Sequence, residues 1–98
     1  MSRVTVVRIY FTEGDHRLKE LFEYLNSEHS VRGVTAYRGI LGFGKSGKVH
    51  AVGLSEIDLD LPLVLEFFDE PAKVERILAG LGERVKPGHI LHWSAEMQ

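Results

Sequence analysis

The segment Leu61-Pro-Leu-Val-Leu-Glu-Phe-Phe-Asp-Glu-Pro71 decides how this chain is read. From Leu61 to Phe68 the side chains alternate, with Leu63, Leu65 and Phe67 on one face and Val64, Glu66 and Phe68 on the other, which is the period of a β-strand. Only Glu66 interrupts two apolar faces, so the strand is predicted to be central. Asp69-Glu70-Pro71 then supplies a cap and a first-turn proline. Val74, Ile77, Leu78 and Leu81 follow at helical spacing, and the helix ends at Gly80 to Gly82. Pro87-Gly88 makes a turn, after which His89 to Met97, with Ile90, Leu91 and Trp93, reads as a short edge strand.

Upstream, residues 3 to 12 are rich in Val, Ile, Tyr, Phe and Thr and read as a strand. Gly14 and Asp15 break it. From His16 to about His29 the positions Leu18, Leu21, Phe22 and Leu25 form one helical face, with Asp15 as its N-cap. Gly33 restarts the chain, and Val34 to Phe43 reads as a second strand in which Gly39 and Gly42 signal a bulge or a close backbone approach. The order β, α, β, β, α, β predicts an α+β fold of the ferredoxin-like βαββαβ class. Its expected form is a four-stranded antiparallel sheet with two helices on one face, built as a single domain over residues 1–98.

Length and composition agree. The chain has 98 residues, 44% of them hydrophobic and 27% charged, and a domain of this size buries roughly 60–68% of its unfolded surface. A formal net charge of -2 offers no global attraction to nucleic acid or to an anionic membrane, so an anion site has to be local. No cysteine is present, which excludes disulfides, thiolate metal sites and cysteine nucleophiles. The apolar N-terminal run is interrupted by Thr5 and Arg8 and lacks the form of a secretory signal. With no candidate membrane span either, a cytoplasmic protein is expected.

The two faces of the sheet are not equally polar. Val4, Val6, Tyr10, Val64 and Phe68 fall opposite the helices, where an apolar patch marks an interaction surface. A homo-oligomer using this open face is expected, with Arg8 and Glu66 paired on adjacent central strands. The competing expectation is a monomer whose long loop, residues 44 to 60, folds over the face. A connection of that length is uncommon unless it is functional. The alternation of Val49, Ala51 and Ile57 also suits an extended hairpin.

Gly39-Ile-Leu-Gly-Phe-Gly44-Lys45-Ser46 satisfies the P-loop pattern. A P-loop requires a preceding strand and a helix opening at the lysine, yet Ile40 and Leu41 look like strand residues and Gly47 leads into Val49-His-Ala-Val52. The literal reading is rejected and its chemistry kept: glycines let backbone N–H groups approach an anion, and Lys45 and Lys48 add charge. His50, just past the glycines, is the one histidine held as a ligand contact. His89 and His92 fall on opposite faces of a strand, which argues against shared metal ligation. Glu56, Asp58 and Asp60 read as a solvated loop edge. No Ser, His and Asp constellation is recognisable.

Taken together, Arg38-Gly39-Ile40, Gly42-Phe-Gly44, Leu61-Pro62 and Leu65-Glu66-Phe-Phe-Asp-Glu-Pro-Ala-Lys-Val74 resemble the PII signalling superfamily, in particular its short PII-like bacterial branch. The resemblance covers nearly the whole chain. It implies a homotrimer built on the open sheet faces and a small-molecule effector, an adenine nucleotide among the candidates, bound in a cleft between subunits. It also implies a loop over residues 44–60 that senses a protein partner not identified by sequence, a membrane transporter being one candidate. An effector that orders such a loop changes its affinity for the partner. The candidate ligand-binding residues are Arg38, Gly42, Phe43, Gly44, Lys45, Lys48, His50 and Glu66, with no catalytic residue and no metal ligand.

Two departures bear on the effector. Lys45 and Ser46 stand where PII proteins carry arginine and glutamine, which weighs against 2-oxoglutarate. Arg84-Val-Lys-Pro-Gly88 replaces a glycine-rich, lysine-bearing phosphate loop, leaving Lys45, Lys48 and Lys86 as substitutes. An acylphosphatase-type hydrolase shares the fold class, but Thr12-Glu-Gly-Asp-His-Arg17 is acidic where that enzyme needs an anion cradle. RNA binding is disfavoured by charge and by the residues of Leu63 to Phe68. An ACT-like small-molecule sensor shares the topology, and topology alone does not decide function.

Overall fold

The computed structural model describes residues 2–51 and 60–98. Strand β1 (Ser2–Thr12) is followed by helix α1 (Leu18–Glu23), strands β2 (Gly33–Arg38), β3 (Leu41–Phe43), β4 (Val49–Ala51) and β5 (Pro62–Asp69), helix α2 (Pro71–Gly80) and strand β6 (Ile90–Met97). The main sheet has the order β2-β5-β1-β6 with every pair antiparallel, and β3 and β4 form a separate two-stranded ribbon. This is the ferredoxin-like α+β fold.

The alternation in β5 appears directly as burial: Leu63, Leu65 and Phe67 are buried, while Val64, Glu66 and Phe68 are intermediate. Their buried neighbours are Val7, Ile9 and Phe11 of β1, with Leu21, Tyr24 and Leu25 and then Val74, Ile77 and Leu81 from the two helical segments. Both helices therefore cover one face. Full burial of side chains of this size contributes about 1.5–3 kcal/mol each.

Three local readings are corrected. Asp15 does not cap α1; its Oδ2 accepts the Thr12 N–H at 3.2 Å, within a short 3-10 turn, and the helix begins at Leu18. The first helix also widens into a π-turn over Tyr24–Glu28. The inward stripe is Leu18, Leu21, Tyr24 and Leu25, at ordinary helical spacing, so Phe22 falls beside it at 40% exposure while Tyr24 is only 5% exposed. The Tyr24 hydroxyl donates to the Ile77 carbonyl at 3.1 Å, and the Arg84 guanidinium lies 4.5 Å from its ring centre. Burial raises the phenol's pKa against the opposing pull of Arg84.

The third correction concerns the second strand, which does not run unbroken to Phe43. It ends at Arg38, the Gly39 N–H donates to the Pro62 carbonyl at 2.7 Å, and the chain passes through Ile40 into the ribbon. A Cβ on Gly39 would stand 2.8 Å from Pro62 Cγ, and one on Gly42 3.2 Å from it. The close approach expected of these glycines is thus an approach to the start of β5.

On the open face the cross-strand partners are Val6, Arg8 and Tyr10 of β1, Phe68, Glu66 and Val64 of β5, and Trp93 and Leu91 of β6. Arg8 Nε lies 2.7 Å from Glu66 Oε1, as the strand positions predict, and its guanidinium sits 5.4 Å from the Trp93 ring centre. The Glu66 carboxylate is the main cause of the raised Arg8 pKa. Val4, expected in the exposed patch, is instead buried at 3%, whereas Tyr10, Tyr37, Leu91 and Trp93 are 37%, 48%, 56% and 41% exposed.

Candidate functional site

The handover at Gly39 sets the β3–β4 ribbon beside one end of the sheet. The register Leu41↔Ala51, Gly42↔His50 and Phe43↔Val49 places Gly42 with His50 on one side of the ribbon and the apolar residues on the other. Gly44 to Gly47 closes the turn through a Gly47 N–H to Gly44 carbonyl bond of 2.9 Å, with Gly47 at φ +77°. Lys45 and Ser46 occupy this turn rather than a helix start, in keeping with the rejection of a P-loop. The anion-nest reading also narrows, because the Lys48 N–H is directed to Ser46 Oγ at 3.3 Å.

Between the ribbon and the sheet end lies an open groove of about 760 Å³. Leu41, Gly42, Phe43, Gly44, Lys45 and His50 form its ribbon side. Tyr10 and Thr12 from the end of β1 and Pro62 and Val64 from the start of β5 contribute the sheet side, and Lys86 and His89 come from the turn before β6. Of the predicted ligand-binding residues, the groove gathers Gly42, Phe43, Gly44, Lys45 and His50.

Three others lie elsewhere. The Arg38 guanidinium pairs with Glu13 Oε2 at 3.0 Å, Glu66 is engaged by Arg8 on the open sheet face, and Lys48 is not among the groove's lining residues.

One carboxylate organises the groove's inner edge. Asp60 Oδ1 accepts the Gly14 N–H at 2.6 Å, and its Oδ2 lies 3.4 Å from His50 Nδ1. The Thr12 hydroxyl is the main cause of its lowered pKa, assisted by Gly14, His50 and Lys48 against the cost of burial. The Glu13 N–H donates to the Leu61 carbonyl at 2.9 Å, joining the same two segments. Asp60, read from sequence as part of a solvated edge, is therefore a structural tie. Glu56, Asp58 and Ile57 lie outside the described residues. Among the described residues no His, Cys, Asp and Glu group is arranged to hold a metal.

Of the groove residues before β6, Lys86 was expected as a substitute for the phosphate loop, whereas His89 was not expected as a ligand contact. The signal was topological: β6 pairs with β1 so that Ile90 faces Ile9, which brings the Pro87-Gly88 turn beside Tyr10. The Tyr10 N–H donates to the His89 carbonyl at 2.8 Å, and His89 Nδ1 lies 2.9 Å from the Tyr10 carbonyl.

Residues 4–97 match the family DUF190, described as Uncharacterized ACR, COG1993. This chain belongs to that family. The UPF0166 protein of Methanocaldococcus jannaschii is 30% identical over 91 residues, covering 88% of this chain and 82% of that protein. Among solved structures, CPII from Thiomonas intermedia K12, a nitrogen regulatory PII-like protein bound to ADP, AMP and bicarbonate, superposes with a TM-score of 0.70 at 19% identity. The match covers 98% of this chain and 89% of CPII. A PII-like signalling protein from Thermus thermophilus gives a TM-score of 0.61 at 20% identity, over 95% of this chain and 85% of that one. The DUF190 fold seen here is thus the PII-like one. Among the described residues no helix is long and apolar enough to cross a membrane.

Proposed function

We propose that this DUF190 chain is a non-enzymatic PII-like regulator that binds a small anionic effector, an adenine nucleotide foremost, in the groove between ribbon and sheet. The observation that carries the reading is the groove's composition. An apolar side of Leu41, Phe43, Pro62 and Val64 is combined with Lys45, Lys86 and His89, which suits a ligand with a flat apolar part and a charged part. The adenine nucleotides and bicarbonate bound by CPII support the same class of ligand.

In this reading the chain is a homotrimer associated through the open sheet face, and a neighbouring subunit closes the groove. The ribbon opens the segment 44–60, which presents the ligand state to a protein partner. The acylphosphatase alternative is weakened at the turn after β1. There the Gly14 N–H is taken by Asp60 and the Thr12 N–H by Asp15, so amides that an anion cradle requires are already engaged.

A thermal-shift panel of AMP, ADP, ATP and cyclic dinucleotides, with and without bicarbonate, tests the reading. A ligand at about a hundred times its Kd stabilises the folded state by ~2.7 kcal/mol, so a binding member raises Tm clearly. No shift across the panel would remove the nucleotide form of the proposal.

A further inference from the structure

We propose that His89 is a protonation-dependent contact for the effector's phosphate, so that the groove binds phosphoanions more tightly as the imidazole gains its proton. The proposal rests on the effector being an anion held in this groove.

The geometry begins with the lock between His89 and Tyr10. Two backbone and side-chain bonds run between the same two residues, Tyr10 N–H to the His89 carbonyl at 2.8 Å and His89 Nδ1 to the Tyr10 carbonyl at 2.9 Å. A carbonyl oxygen only accepts, so Nδ1 must carry hydrogen. In the neutral ring the other nitrogen, Nε2, then holds a lone pair. A phosphate oxygen facing that lone pair is repelled. Once Nε2 is protonated it becomes a charged donor, and charge-assisted bonds to anions are roughly twice as strong as neutral ones. Histidine is the side chain suited to make this change between about pH 5 and 8.

The surroundings favour an anion. The charged and titratable side chains lining the two hollows that His89 borders are Asp15, Arg17, Lys45, His50, Arg84 and Lys86, with Tyr10 at their junction. Asp15 is the one carboxylate in the lining, while Glu20 Oε1 lies 3.4 Å from Arg84 Nε and Asp60 Oδ2 lies 3.4 Å from His50 Nδ1, so the positive surplus rests on Arg17, Lys45 and Lys86. Arg17 and Arg84 are partly committed, Arg17 to the carbonyls of Glu83 and Arg84 and Arg84 to those of Gly80 and Leu81. Lys86 supplies charge on the same turn, but a lysine stays charged across this range and adds no pH dependence. Pro87 has no N–H and the His89 N–H donates to the Lys86 carbonyl at 3.2 Å, so this turn meets an anion through the side chains of Lys86 and His89 rather than through its amides.

Binding and protonation are reciprocally linked. The test follows the imidazole itself by long-range 15N–1H NMR on the full chain, titrated with and without saturating pyrophosphate, and separately with ADP. The His89 signals are assigned by their loss in His89→Asn. Asn also retains an amide near the Nδ1 position, preserving the donor to Tyr10 while removing the distal nitrogen. The expected result is an Nδ1–H tautomer in the free protein and a His89 midpoint raised by about one unit with pyrophosphate, equivalent to a tenfold preference for the protonated ring.

His89→Asn should lose about tenfold in pyrophosphate affinity near pH 6 and little near pH 8. If pyrophosphate moves the midpoint and ADP does not bind, the phosphate contact stands and the nucleotide reading falls. If ADP binds while neither anion moves the His89 midpoint, the contact is overturned and the nucleotide reading survives. If neither anion binds, both are overturned.

Discussion

Asp69 shows how one residue ties three segments together. It is 3% exposed at the end of β5, where its carboxylate accepts the Glu70 N–H at 2.8 Å and the Arg32 N–H at 3.1 Å and pairs with Lys73 Nζ at 2.9 Å. Burial alone would raise its pKa, but Lys73 and the two amides outweigh that cost and hold it below the ordinary value. A carboxylate with a depressed folded pKa contributes stability above its unfolded pKa, and that contribution is lost as pH falls through the folded value. Asp69→Asn is expected to cost ~2 kcal/mol at neutral pH, or roughly 8–16 °C in Tm for a domain of this size. The difference from wild type should begin to shrink below about pH 4, where the carboxylate of the unfolded chain takes up its proton, and vanish as pH falls through the lower folded value. Thermal melts across pH check this, and a difference independent of pH would contradict the assigned role.

The element most consequential for function is the β3–β4 ribbon, whose placement depends on a glycine meeting a proline. Gly39→Ala would press a methyl group against Pro62 and should destabilise the fold by about 1–3 kcal/mol. Pro62→Ala in the same chain should recover most of that loss, since the two changes share one contact. Equal penalties with and without Pro62 would show that the contact is not the cause.

The same element marks how far the sequence could be read. Period-two alternation in Leu61 to Phe68 revealed the central strand, because burial on two faces leaves its trace in every residue. The glycines at 39 and 42 revealed a close approach but not its partner, since Pro62 lies far along the chain. That Tyr24 rather than Phe22 goes inward left no sign in a helical stripe, because the tyrosine hydroxyl is received by a carbonyl that α2 supplies. His89 was likewise obscure for a topological reason: only the pairing of β1 with β6 brings it to the groove.

For the whole molecule, the open sheet face governs the proposed assembly. Tyr10, Tyr37, Leu91 and Trp93 surround the Arg8–Glu66 pair, which would satisfy two charges within a subunit interface. Trp93→Glu, which adds a charge to this face, is expected to convert a trimer into monomers in size-exclusion chromatography with light scattering while leaving the far-UV circular dichroism unchanged. A trimer that survives the substitution would move the interface elsewhere. Loss of the trimer should also abolish effector binding if a neighbour completes the groove.

Trp93 is the only tryptophan in the chain. Its indole lies under the Arg8 guanidinium on the partly exposed face. All tryptophan emission therefore originates at this one place, and dilution or salt that separates subunits should shift it to longer wavelength without any attached dye. The unmodified protein carries its own optical gauge of the proposed assembly.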